Sequence, residues 1–339
     1  SLDNRLAYLE QETIKVGSKM SQSKNEREVR FVSIPEGLHQ ERVDAALSRL
    51  LGLSRSTVVT LIENNEVTRK GKPLTKSDRV NTDDYLEITM PAILGEPQLT
   101  ATPIENFKVV YDDSDVIVID KPAGVAAHPS PGWRGATVIG GVIAAGYQVS
   151  TSGAAERQGV VHRLDVGTTG LMVIAKNENS YSNLKQQFRD RTVTKVYHAL
   201  VQGHMDPTEG TIDAPIDRHP REDYRFAVVA DGKPSITHYK ALEFFPAVSL
   251  LEIELETGRT HQIRVHFSAL RHPLVGDMTY GADHTIAERL EIVRPWLHAR
   301  ELKFIHPSSG SEIAFFSEYP QDLTRCLEIL AKGQLPEAQ

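Results

Sequence analysis

Apolar residues recur at helical spacing in two short neighbouring stretches: Val43, Leu47, Leu50 and Leu51, then Val58, Leu61 and Ile62. Steps of three and four put each set on one face of a helix, and Ser54 stands where the second helix needs a cap. A basic turn over residues 67–72 follows, and residues 85–88 read as a strand. Residues 91–106 carry three prolines and no period, which predicts a linker. Beyond them the period shortens. Residues 109–111 and 116–120, joined by Asp112, Asp113 and Ser114, predict a hairpin. Residues 160–161 and 171–175 are apolar arms around a Gly- and Thr-rich bend, again strand, turn, strand. Tyr181, Leu184 and Phe188 return to helical spacing, with Lys185, Arg189 and Arg191 on the exposed positions. Residues 192–203 and 250–255 read as strands, and Asp231-Gly232 as a hairpin turn between residues 225–229 and 235–245. Thr260 is expected to cap a helix with Ile263, Phe267 and Leu270 on its apolar face, which turns Arg264 off that face.

Strands outnumber helices in the second half and hairpins outnumber crossovers, so the expected class is α+β with a mostly antiparallel, mixed sheet. A small helix-helix-strand domain precedes it. The expected divisions are a flexible arm over residues 1–30, the small domain over 31–90, a linker over 91–105, the large domain over 106–330 and a tail over 331–339. Met20 is an internal candidate for the natural start.

Composition narrows the function classes. A single cysteine, Cys326, excludes an intrachain disulfide and a Cys-rich zinc site and fits a reducing compartment. No apolar run reaches the ~18 residues of a membrane span, and the N-terminus lacks a cationic head before an apolar core, so a cytoplasmic protein is expected. The net charge of -7 argues mildly against a nucleic-acid partner, but the distribution matters more. Between residues 49 and 79 seven Lys or Arg face three acids, and residues 257–276 contain no acid while holding Arg259, Arg264, Arg271, His261, His266 and His272. The histidine spacings of five and six do not stack on one helix face, so no metal is expected.

The chemistry concentrates in V-V-H-R-L-D-V-G-T-T-G-L, residues 160–171. Alternation puts Arg163 and Asp165 on one side and Leu164 on the other, so a cation and a carboxylate can share a cleft. Taken alone, the Asp-x-Gly-Thr core is more often a hairpin whose Asp caps its own turn. The full string resembles the signature of the large-subunit-rRNA type of pseudouridine synthase, with Thr169 where many members have Ser. Asp165 to Thr169 also resembles the first phosphate loop of sugar kinases and actin-like ATPases, but His162 and Arg163 interrupt the apolar strand that such a loop needs. Three further strings resemble the synthases: Asp120-Lys121-Pro122-x-Gly124 with His128-Pro129, Lys195-x-Tyr197, and residues 257–266. Residues 41–90 resemble the small RNA-binding domain named after a ribosomal small-subunit protein, with Arg55, Arg69, Lys70 and Lys72 expected on phosphates.

The resemblance implies uridine-to-pseudouridine isomerisation, which breaks the N1 to C1' bond and joins C5 to C1' without redox change or cofactor. It implies Asp165 as the catalytic residue, Arg163 filling the space of a flipped-out base, Tyr197 stacking on that base and Ile263 pressing on its other face. Arg264 is the expected clamp on the Asp165 carboxylate, through two hydrogen bonds. Lys121, His128, His162 and Arg259 are expected to line the substrate site. The expected partner is a structured stem-loop of ribosomal RNA, reached in pre-ribosomal particles by a monomer without membrane contact. A phosphate-loop kinase and an RNA-binding protein without catalysis are the alternatives.

Overall fold

The structure, a computed structural model, describes residues 27, 29–90, 99–130, 133, 135–222 and 224–333. The expected arm, apart from residues 27, 29 and 30, most of the linker, residues 91–98, and most of the tail lie outside the described residues. Residues 29 and 30, expected in the arm, open strand β1 (Val29–Ser33).

Helices α1 (Val43–Leu51) and α2 (Arg55–Glu63) form where the apolar stripes predict them. Gly52 ends α1 in the left-handed conformation with φ 65°, which a glycine adopts without a Cβ penalty. Two residues later the Ser54 side chain accepts the Thr57 N–H and starts α2. Strands β2 (Val67–Arg69), β3 (Lys72–Pro73) and β4 (Tyr85–Thr89) complete a four-stranded sheet in the order β1-β4-β2-β3. Alternation in β4 buries Leu86 and Ile88 against the two helices. Each such fully buried side chain contributes about 1.5–3 kcal/mol.

The large unit is one nine-stranded sheet. Its strands are β5 (Lys108–Asp112), β6 (Val116–Lys121), β7 (Thr169–Ala175), β8 (Thr194–Gln202), β9 (Glu209–Asp213), β12 (Ile236–Phe245), β13 (Val248–Leu255), β14 (Leu297–Ile305) and β15 (Glu312–Phe316). The order is β5-β6-β7-β14-β8-β13-β12-β9, with β15 on β14. Every pairing is antiparallel except β7 with β14, which agrees with the α+β expectation. Helix α3 (Val138–Ala144) lies between β6 and β7 in the chain, and α4 (Glu178–Arg189) follows β7.

Sheet faces sort by the period of two. Val116, Val118, Leu171 and Val173 pack with Leu184 of α4 on one face, while Ile117, Ile119, Met172 and Ile174 join the core on the other. That second core is closed by Val138 and Val142 of α3 and by Phe267 of α5 (Gln262–Ala269). Strand β7 is therefore buried at all seven positions, which explains its unbroken apolar run.

The two units share a core. Val32, Leu47 and Ile88 belong to one buried cluster with Val275, Met278, Trp296 and, from helix α6 (Gln321–Ala331), Leu323. At Gly37 a Cβ would lie 2.9 Å from the Met278 sulfur and 3.0 Å from the Ala282 carbonyl oxygen, so a larger residue there would have to displace its neighbours.

Three local expectations are corrected. Short strands β10 (Ile216–Arg218) and β11 (Phe226–Val228) pair with each other, so Asp231-Gly232 does not close a hairpin onto β12, which pairs with β9 and β13. The first arm of the central string is no strand: Val160 makes one isolated bridge to Ile174. Helix α5 starts one residue after a left-handed His261 with φ 55° and no side-chain cap, so Thr260 does not cap it, and Leu270 is 43% exposed.

Candidate active cleft

Residues 165–168 form a tight turn, closed by the Thr168 N–H on the Asp165 carbonyl at 3.0 Å. The rest of the fold fixes it from three sides. The Val166 carbonyl accepts the Gly124 N–H at 2.9 Å and the Lys121 ammonium at 3.1 Å, and the Gly167 carbonyl accepts Arg294 Nη1 at 2.9 Å. Thr169 Oγ1 meets His298 Nδ1 at 2.7 Å. Gly170 passes so close to β14 that a Cβ would lie 2.2 Å from the Ala299 carbonyl oxygen. Its φ of 118° is also one that a side chain rarely tolerates. The Asp165 backbone is thus held by structure, not only by its own sequence.

The Asp165 carboxylate, 17% exposed, faces two basic groups from α5: Arg264 Nη1 at 3.4 Å and His261 Nε2 at 3.9 Å. Burial raises the cost of its charge, yet His261 beside it, then Arg264 and Arg163, hold the carboxyl below the ordinary range. Arg264 does not clamp Asp165 through two bonds as expected. Its Nε and Nη2 go to Asp277 at 2.7 and 3.0 Å, and its plane lies over the Tyr280 ring at 4.9 Å. Asp277 is 1% exposed, so the pair is a buried anchor that aims the remaining nitrogen at Asp165.

Tyr280 also positions His261. Its hydroxyl accepts the Phe226 N–H at 3.0 Å and meets His261 Nδ1 at 2.8 Å, which leaves Nε2 turned toward Asp165. Burial, with Arg264 next, pushes the His261 pKa down to about 4, so the ring is neutral at pH 7.

The Tyr197 ring is 8% exposed, and burial together with Asp165 raises its hydroxyl pKa. Tyr197, Ile263, Arg163, Arg259 and Leu297 line a small recess beside Asp165 and Arg264. The recess opens into a cavity of about 720 Å³ that Asp165, Arg264, His128 and Asp277 share with Ser48, Arg49, Gly52 and Arg55 from the α1–α2 corner. The small unit therefore forms one wall of the cleft, a feature that the linear order does not reveal.

Of the expected substrate-site residues, Lys121 and His162 are engaged elsewhere, while His128 and Arg259 stay at the cleft. Lys121 is fully buried, and its ammonium donates to the carbonyls of Pro122, Val125 and Val166, so it builds the Asp165 turn instead of lining the substrate site. Burial lowers its pKa to about 7 against the pull of Asp165. His162 stacks on Phe188 at 4.7 Å and accepts the Val173 N–H, on the side of the sheet covered by α4. His128 Nδ1 meets the Pro129 carbonyl at 2.8 Å at the cavity rim. Arg259 is exposed and anchored by the Pro234 carbonyl. In the small unit Arg55 pairs with Asp44 and Arg69 with Asp84, while Lys70 and Lys72 stand exposed on the turn. His261, His266 and His272 bind Tyr280, Thr237 and the Gln202 carbonyl respectively, so they do not converge. Asp277, Tyr280 and Arg294 join the site only through the fold: Asp277 lies just past the acid-free stretch, and no local period pairs it with Arg264.

Comparison with known proteins shows the family. A family model described as RNA pseudouridylate synthase matches residues 115–269. The chain is 53% identical to an uncharacterised RNA pseudouridine synthase of Mycobacterium bovis, over 89% of this chain and 98% of that protein. It is 36% identical to ribosomal large subunit pseudouridine synthase D of Xanthomonas campestris, over 92% and 95%. The solved structure of human RNA pseudouridylate synthase domain containing 1 superposes with a TM-score of 0.53 at 27% identity, over 69% of this chain and 97% of that one. The chain belongs to the RNA pseudouridine synthase family and is an isomerase of uridine in RNA.

Proposed function

We propose that this protein converts particular uridines of large-subunit ribosomal RNA to pseudouridine, with Asp165 as the nucleophile. The observation that carries the reading is the Asp165 carboxylate 3.4 Å from Arg264 Nη1, in a recess that also holds Tyr197 and Ile263. A carboxylate kept charged in a low-dielectric site can attack the nucleoside, whereas a neutral one cannot. The target uridine leaves the RNA stack at a cost of a few kcal/mol, and Arg163 takes its space. Tyr197 stacks on the flipped base from one side and Ile263 presses from the other. No cofactor takes part.

Residues 31–90 act as an RNA grip, residues 91–105 as linker and residues 106–330 as the catalytic domain, flanked by an arm and a tail. Lys70 and Lys72 stand exposed on the grip's turn; Arg55 and Arg69 divide their charge between their carboxylate partners and phosphate. The substrate is a structured stem-loop, met in the cytoplasm by a monomer on pre-ribosomal particles. The ribosomal target is supported by the name of the Xanthomonas relative. Among the described residues no helix is long and apolar enough to cross a membrane.

The test is a map of pseudouridine in ribosomal RNA from cells lacking the protein, with wild-type and Asp165→Asn copies restored. Specific large-subunit sites should disappear and return only with the wild-type copy. An unchanged large-subunit map would end the ribosomal assignment.

A further inference from the structure

A second groove, of about 880 Å³, begins where the catalytic recess ends. Arg163, Tyr197 and Arg259 line both spaces and so stand at their boundary. The rest of the groove comes from α4 and the start of β8. Helix α4 turns Leu184 into the core, which leaves Lys185 and Arg189 on its other side; Arg191 and Lys195 continue the line.

Its charge is one-sided. Six cations line it, Arg163, Lys185, Arg189, Arg191, Lys195 and Arg259, against one carboxylate, Glu256. Glu256 already serves His238 at 2.6 Å and Arg191 at 3.6 Å, on a pair whose side chains are both more than 40% exposed and hence weakly bound. Among the described residues none of the other five cations has a carboxylate within ion-pair distance. Instead, Lys185 lies over the Tyr181 ring at 5.7 Å, Lys195 over the Phe188 ring at 5.9 Å, and Arg189 donates to Gln186. Aromatic faces position an ammonium without neutralising it. Burial, and after it the neighbouring Arg191, lowers Lys195 to about 8; burial, and after it Arg157 and Arg189, lowers Lys185. A fold that gathers uncompensated cations beside its reaction site is built for an anion with several charges in a row.

We propose that this α4 groove binds the phosphodiester backbone of the substrate RNA as the strand leaves the flipped uridine. The inference rests on the RNA isomerase reading and adds a phosphate track separate from the small domain. Arg163 and Tyr197 at the boundary act on the base; Lys185, Arg189 and Arg191 act on the strand that follows. Binding there fixes register without reading sequence.

The test compares the full-length triple variant Lys185→Gln, Arg189→Gln and Arg191→Gln with a control carrying the same charge loss on distant exposed sites, Lys240→Gln, Arg289→Gln and Lys332→Gln. Equilibrium binding to a ribosomal stem-loop is measured from low to moderate salt, with single-turnover pseudouridine formation at saturating RNA. The groove variant should bind at least tenfold more weakly at low salt, and its slope of log affinity against log salt should fall by about 2 to 3, near one unit per lost contact. Its saturated rate should stay within about twofold of wild type, and the control should match wild type in both. An unchanged slope in the groove variant, or the same loss in the control, would overturn the proposal. If the triple variant does not fold, the double variant Lys185→Gln and Arg189→Gln is read the same way. Failure of the wild-type protein to modify any RNA would instead count against the parent reading.

Discussion

Arg264 gives Asp277 two hydrogen bonds, at 2.7 and 3.0 Å, and meets Asp165 only through its third nitrogen at 3.4 Å. Asp277 is the more buried of the two carboxylates, so it fixes the guanidinium plane and leaves one N–H directed at the reacting group. Removing Asp277 strands a buried cation and frees it to collapse onto Asp165. Asp277→Ala should therefore lose about 3–5 kcal/mol of stability and at least tenfold in kcat, measured by urea unfolding and by single turnover. Wild-type kcat in a folded Asp277→Ala protein would remove Asp277 from the alignment of the cleft.

The carboxylate itself is tested by Asp165→Asn, which is close in shape and carries no charge. Folding and RNA binding should persist while isomerisation is lost, since removal of a nucleophile costs several kcal/mol of barrier. Activity within about tenfold of wild type would contradict the role.

A pH dependence follows from the lowered Asp165 pKa. The charged form is the active one and exists above the folded-state pKa, so the acidic limb of the single-turnover rate should fall only below the ordinary aspartate value of about 3.9. Arg264→Gln removes one of the cations holding the charge, so the limb should move to higher pH along with a lower plateau. An unmoved limb would mean that Arg264 does not tune Asp165.

Gly170→Ala tests the contact of β7 with β14. A methyl group 2.2 Å from the Ala299 carbonyl oxygen forces the central strands apart, and the φ of 118° adds backbone strain. The variant should melt well below wild type or fail to accumulate as soluble protein. A melting temperature within about 2 °C of wild type would show that the strands can give way.

Lys70→Gln with Lys72→Gln tests the small domain as an RNA grip. These two are its exposed charges on the turn, whereas changing Arg69 would also break its pair with Asp84. Affinity for structured RNA should fall and the salt slope flatten by about 2, with the saturated rate unchanged. A lower saturated rate at constant slope would assign the small domain to shaping the cleft, which its α1–α2 corner helps to wall.

Local physics determined much of this protein from its sequence. Helices α1, α2 and α4, the hairpin of β5 and β6, and the strand that bears Tyr197 follow from apolar period and turn chemistry, which act over a few residues. The Asp165 turn was likewise legible, because its glycine, threonines and flanking apolar arms lie within one short string. The partners of that turn were not. Lys121, Gly124 and Arg294 reach it from 45, 42 and 127 positions away in the sequence, through sheet pairings and a loop crossing that no local period encodes. Arg264 was expected to clamp Asp165 through two hydrogen bonds, yet folding brings Asp277, one position beyond the acid-free residues 257–276, within 2.7 Å and gives it those two bonds. The capping of α5 failed for the same reason: Thr260 was the local candidate, but the Tyr280 hydroxyl binds the His261 ring, and His261 takes the N-cap position in a left-handed conformation. Sequence chose which residues carry charge and where the chain can bend. Tertiary packing decided which charges meet, because a buried ion pair is set by the distance across the fold and not by separation along the chain.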